Sequence, residues 1–189
     1  MLAERDDTPS FWEKPLHNLK NSGRPVYLIF LDVDGVLNTS NETMATSISP
    51  HCLDLFCQLV IRVDAHIVVS STWRKHKPFM DKLLSCLNKK DCGSRVIGKT
   101  EEIAPFERPS EILKWLRDAK SLYNLDVENW IAVDDMPLEE MSAGMNRHCV
   151  LTTIEKGFES HHLRQAEKLL RRSAQKQQNQ FRTVTPTDS

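Results

Sequence analysis

The chain is 189 residues long, 40% hydrophobic and 27% charged, with a formal net charge of −1. That length and composition suit one soluble globular domain with a full core and leave little room for a second. A near-neutral balance excludes a global field for holding a nucleic-acid backbone or an anionic membrane, so any contact with a polyanion has to be local.

The five cysteines, Cys52, Cys57, Cys86, Cys92 and Cys149, are odd in number, lack metal-ligand spacing and lie mostly in apolar segments, which reads as reduced thiols and no zinc site. No signal peptide and no apolar run near the length of a membrane span are visible, so the cytoplasm or nucleus is the expected location.

Residues 1–24 mix proline, charge and the aromatics Phe11 and Trp12 without periodicity, and read as an arm that folds over the domain. The continuous apolar run from Val26 to Leu31 predicts a central strand buried on both faces. Ser49 and Pro50 supply an N-cap and a proline at the first helical position, followed at helical spacing by Leu53, Phe56, Leu59, Val60 and Val63. Ile67 to Ser70 reads as the second strand, and after Pro78 the stripe Phe79, Met80, Leu83, Leu84 and Leu87 predicts a helix.

A short strand is expected around Arg95 to Ile97, then a helix opened by Pro109 with Ile112, Leu113, Trp115, Leu116 and Ala119 on its apolar face. Trp130 to Val133 returns as a strand, and Cys149 to Leu151 precedes an amphipathic helix carrying Leu163, Ala166, Leu169 and Leu170. Residues 173–189 are polar and read as a disordered tail, which leaves 25–172 as the folded domain. Repeated β-α units predict an α/β fold, a doubly wound, Rossmann-like, three-layer parallel sheet whose ligands bind beyond the carboxyl ends of the strands.

Three of the buried strands end in polar residues, at Asp32-Val33-Asp34-Gly35, at Ser70-Ser71 and at Asp134-Asp135. In a parallel sheet those ends share one edge. Carboxylates gathered there repel one another unless a cation sits among them, and hard oxygen ligands with room for water favour Mg²⁺. Each piece alone is weak, since Asp and Gly after a strand are common turn formers. Their order carries the signal.

DVDGVLN, VVSSTWR, ERPSEILKWL and AVDDMP together resemble the four motifs of the haloacid dehalogenase (HAD) superfamily. The resemblance implies that Asp32 is the nucleophile and Asp34 the general acid and base, and that Ser70, or its neighbour Ser71, hydrogen-bonds the phosphoryl group. It also implies that Arg108 supplies the cation of the third motif, in place of the usual lysine. Asp134 and Asp135 would hold Mg²⁺ with Asp32 and the main-chain carbonyl of Asp34. Lys99, in VIGKTEEI, competes for the cationic role, but it follows a short strand rather than opening the helix before Asp134. A cation at a helix start opposes the helix dipole, which speaks for a functional Arg108 with anionic partners.

Trp73 and Arg74 follow the second motif, where they either meet the leaving group or respectively pack under the loop and pair with a carboxylate. With HCVLTTIEKGF the sequence is similar, more narrowly, to the HAD domains of Swiss-army-knife RNA-repair proteins, which implies phosphorylated nucleic-acid or nucleotide substrates.

These roles are physically coherent. A carboxylate attacks an anionic phosphate only once charge is neutralised, Arg108 and Ser70 add electrostatic stabilisation, and Asp34 protonates the leaving alcohol and then activates water. The expected activity is therefore a Mg²⁺-dependent phosphomonoesterase working through an aspartyl-phosphate. Between the motifs, including the polar stretch from Thr39 to Ser49, there is no room for the cap domain common in the superfamily, so the substrate is expected to be large: a phosphoprotein or a nucleic-acid end, between which the sequence does not choose. A receiver-type phosphoacceptor would carry its acid pair first, the opposite order. A catalytically idle binding scaffold is the other alternative, set against every motif position being filled.

Overall fold

The computed structural model describes residues 16, 19, 23–40, 47–105 and 107–182, with side chains as far as 172. Five strands, β1 (Val26–Leu31), β2 (Ala65–Val69), β3 (Val96–Lys99), β4 (Val127–Asp134) and β5 (Cys149–Leu151), form one sheet in the order β3-β2-β1-β4-β5. Every pairing is parallel. The chain moves outward from β1 through β2 to β3, then crosses back to β4 and β5, so the topology reverses between β1 and β4. That is the crevice where an open α/β sheet binds ligands. The fold is the expected α/β, doubly wound, HAD-like architecture.

β1 is the keel because its side chains feed both layers, alternating with the period of two that a strand imposes. Ile29 and Leu31 join the core built with helices α1 (Pro50–Arg62), α2 (Lys77–Asn88) and α5 (Ser160–Arg182). Leu28 and Phe30 enter the opposite core under α3 (Arg108–Ser121) and the single turn α4 (Leu138–Met141). There Phe30 meets Trp115 and Trp130 edge-on, with centroids 5.6 and 5.8 Å away, an arrangement the ring quadrupoles favour.

Several boundaries differ from the sequence expectation for identifiable reasons. β4 begins at Val127 rather than Trp130, because Asn129, a turn former by propensity, donates to the carbonyls of Leu169 and Leu170 at 2.9 Å each and ties α5 to the sheet. β2 ends at Val69, which leaves Ser70 as the first residue beyond it. Arg95 ends a 3₁₀ turn, and β3 starts at Val96. Ser49 holds the N-cap position of α1 in extended conformation, yet its side chain makes no capping bond; Pro50 alone sets the start.

α5 runs on to Arg182 through ten residues expected as tail, in keeping with the helix propensity of its Gln, Lys, Ala and Arg residues. Of the arm, Leu16 and Leu19 pack on the α3 side of the sheet, while Phe11 and Trp12 lie outside the described residues. The polar stretch after Thr39 is described only outside 41–46. Among the described residues no cap domain is inserted, and no helix is long and apolar enough to cross a membrane.

Candidate active site

The carboxyl edge of the sheet gathers the acids. Asp32 follows β1 and still donates its N–H to the Val133 carbonyl at 3.0 Å, so the parallel ladder itself fixes it beside the end of β4. It is buried, and Oδ1 accepts from the Val33 amide at 2.8 Å. The chain then turns sharply around the Val33 carbonyl, which receives the amides of Val36, Leu37 and Asn38. Gly35 makes this turn possible at φ +70°, and a Cβ there would stand 2.4 Å from Asp135 Oδ2. The first and fourth motifs therefore meet across a glycine. Thr152 Oγ1 donates to the Gly35 carbonyl at 2.7 Å and fastens the loop after β5 to the same turn.

Asp34 is half-buried, and its carboxylate accepts from two side-chain N–H donors. Asn38 Nδ2 lies 2.7 Å from Oδ1, and the Trp73 indole nitrogen lies 3.0 Å from each oxygen. Trp73 is thus buried and engaged with the predicted acid/base residue.

The two serines after β2 are both fully buried but differ in their bonds. Ser71 Oγ accepts from the Trp73 amide at 3.3 Å and opens the 3₁₀ turn Thr72–Lys75. Ser70, whose N–H donates to the Leu31 carbonyl at 2.9 Å, has an Oγ without a partner among the described residues. Arg74 is buried beneath this loop. One guanidinium nitrogen donates to the Ser70 and Ser71 carbonyls at 2.9 and 2.8 Å, and the other pairs with Glu111 at 2.8 Å.

Arg108, the first residue of α3, places Nη1 2.8 Å from Asp32 Oδ2 and 2.6 Å from Asp134 Oδ2. A buried cation at a helix start is thereby answered by two carboxylates, with Glu111 in the first turn of the same helix. Lys99 sits at the exposed end of β3, where Nζ donates to the Arg74 carbonyl at 3.3 Å. It lines a cavity of about 440 Å³ shared with Lys75, Thr100, Glu102 and Trp115. Of the two candidate cations, Arg108 is the one beside Asp32.

Asp134 ends β4, nearly fully buried, with Oδ1 accepting from the Met136 amide at 3.0 Å. Asp32, Asp134 and Asp135 each bring a carboxylate oxygen within 4.8 Å of the others. The electrostatic result is plain: burial, and then the charge of Asp32, push the Asp134 carboxyl up to about 7 against the opposing pull of Arg108. The same causes raise Asp135. Burial works against the charge of Arg108, but Asp32 and Asp134 outweigh it and hold the guanidinium more firmly protonated. Three acids share one arginine. An all-carboxylate donor set with surplus negative charge fits a hard divalent cation such as Mg²⁺.

Sequence reasoning gave no role to Asn38, Glu111 or Thr152. Asn38 and Glu111 lie inside the motifs DVDGVLN and R-x-x-E, so their positions were visible; their partners were not.

The sequence profile of the HAD domain in Swiss Army Knife RNA repair proteins matches residues 28–163, a span running from within β1 to the first turn of α5 and holding every acid described above. No curated protein matches the chain.

Proposed function

We propose that this chain, which belongs to the family of HAD domains in Swiss Army Knife RNA repair proteins, is a Mg²⁺-dependent phosphomonoesterase that acts through an aspartyl-phosphate on Asp32. The observation that carries this reading is the single Arg108 guanidinium set between Asp32 and Asp134. It pairs with both buried carboxylates and puts a fixed positive charge where phosphoryl oxygens arrive.

Asp32 attacks phosphorus, forming the acyl-phosphate bond as the bond to the leaving oxygen breaks, and Asp34 donates its proton to that oxygen. Ser70 donates from a hydroxyl that has no partner among the described residues, and Arg108 spreads the charge of the transferred group. Water then attacks the same phosphorus, Asp34 takes its proton, and phosphate leaves with Asp32 restored. Asp32, Asp134, Asp135 and the main-chain carbonyl of Asp34 would hold Mg²⁺, which when bound supplies the positive charge that lets one anion approach another.

The catalytic unit is the segment 25–172. The substrate is a phosphorylated nucleic-acid end: the family is one of RNA-repair proteins, and no cap covers the site among the described residues. With a net charge of −1, contact with that polyanion is local, and Lys99, exposed at the end of β3 and bonded to the Arg74 carbonyl, is the cation assigned to it. Ser71, Trp73 and Arg74 serve by supporting this loop. Action in the cytoplasm or nucleus follows from such a substrate.

Phosphate release from 3′- and 5′-phosphorylated oligonucleotides, phosphopeptides and an aryl phosphate, with and without Mg²⁺, tests the reading. Magnesium-dependent release that favours an oligonucleotide and vanishes in Asp32→Asn is the expected result. Release that survives Asp32→Asn, or preference for the phosphopeptide, would contradict it.

A further inference from the structure

Asp34 moves the proton in the phosphomonoesterase reaction, and any catalytic role for the groups that hold it rests on that reading. A half-exposed aspartate swings freely about two torsions unless its carboxylate is held. Here it is held at three points: Asn38 Nδ2 on Oδ1 at 2.7 Å, and the Trp73 indole N–H shared between Oδ1 and Oδ2 at 3.0 Å each.

Trp73 is itself rigid. It is 3% exposed, its ring lies 5.3 Å from that of Phe79, and its backbone N–H is bonded to Ser71 Oγ at 3.3 Å. An indole has one donor and no acceptor, and when buried it must find an oxygen. The oxygen it finds belongs to a residue 39 positions earlier in the chain.

We propose that Trp73 is a positioning residue for catalysis: with Asn38 it locks the Asp34 carboxylate in one orientation, so that Oδ2 is the atom that carries the proton. The assignment to Oδ2 follows from counting lone pairs. A carboxylate offers about two acceptor sites on each oxygen. Oδ1 receives both Asn38 and Trp73, whereas Oδ2 receives Trp73 alone among the described residues. The site left on Oδ2 takes the proton, gives it to the leaving oxygen and recovers it from water. Because Trp73 lies three residues after Ser70 on the same loop, the phosphoryl donor and the acid/base residue are set by one rigid segment.

Trp73→Phe keeps the ring against Phe79 and removes only the N–H. The experiment compares the single-turnover rate of leaving-group release, which reads the first step alone, for wild type and this variant on an alkyl phosphate, whose leaving group needs a proton, and on a nitrophenyl phosphate, whose leaving group does not. A mispositioned acid costs about 10- to 100-fold on the alkyl ester, and the activated ester stays within about threefold. Equal losses on both esters, or no loss on either, overturn the proposal.

A second measurement does not depend on turnover. The Trp73 indole ¹H–¹⁵N resonance, identified by its disappearance in Trp73→Phe, shifts in Asp34→Asn if the contact exists; an unmoved resonance overturns the proposal. Failure of wild type to release phosphate from either ester counts instead against the phosphomonoesterase reading.

Discussion

Arg74 and Glu111 form an ion pair at 2.8 Å, with both side chains about 5% exposed or less, that ties the loop carrying Ser70 to the first turn of the helix carrying Arg108. Glu111 also accepts from the Ile103 amide through its other oxygen, so the pair gathers the connections after β2 and β3 around one charge. Removing one member leaves the other buried and unpaired, which costs about 3–5 kcal/mol. Arg74→Met and Glu111→Gln are each expected to lower the urea midpoint strongly, while the double variant recovers part of the loss. Independent, additive effects in that cycle would show that the pair is not a unit.

The serines separate function from support. Ser70→Ala removes a buried hydroxyl without a partner among the described residues, so stability stays level or rises while kcat falls about 100-fold, as for one lost oxyanion-type donor. Ser71→Ala instead removes the cap of the 3₁₀ turn and costs about 0.5–2 kcal/mol. Thermal melts paired with phosphate-release assays read both. A larger kcat loss in Ser71→Ala than in Ser70→Ala would reverse the roles.

The cations divide likewise. Arg108→Met strips both Asp32 and Asp134 of their neutralising partner and is expected to lower kcat about 1000-fold. Lys99→Met, at the exposed end of β3, should raise KM for an oligonucleotide by about tenfold or less and leave kcat nearly alone. Steady-state kinetics on the same substrate decide between them.

Asp134 makes metal-free stability depend on pH. Its carboxyl, ordinarily near 3.8, is pushed up to about 7 by burial and by Asp32, so the folded chain holds that proton more tightly than the unfolded chain. The resulting contribution is full below 3.8 and is lost as pH rises through about 7. In EDTA, Asp134→Asn is therefore expected to melt above wild type at pH 8 and to lose the advantage at pH 4. Mg²⁺ competes with the same proton, so its stabilisation of wild type grows between those pH values and is absent in the variant. A Mg²⁺ shift that does not change with pH would contradict this.

The site's acids were legible in the sequence because apolar runs broke abruptly at Asp32 and Asp134, and parallel topology brings such breaks to one edge. Arg108 was legible because a cation opening a helix needs an anion nearby. The supporting contacts were not: Trp73 meets Asp34 across 39 positions and Arg74 meets Glu111 across 37, and no local pattern links them. Asn129 hid the start of β4 for the same reason, its partners Leu169 and Leu170 lying 40 and 41 residues away. Local periodicity sets the strands and helices, while side-chain pairing across the sheet edge appears only once the chain is folded.

Covalent phosphorylation of Asp32 is the step on which the proposed chemistry depends. Acid quenching of a single turnover with a phosphorylated oligonucleotide and Mg²⁺, followed by borohydride reduction and peptide mass spectrometry, reads it directly, because reduction of an acyl-phosphate converts the aspartate to homoserine. Homoserine at position 32, increased with nitrophenyl phosphate when Asp34→Asn slows the second step and the leaving group needs no proton, is the expected outcome; steady phosphate release with no reduced residue at position 32 would contradict an aspartyl-phosphate mechanism.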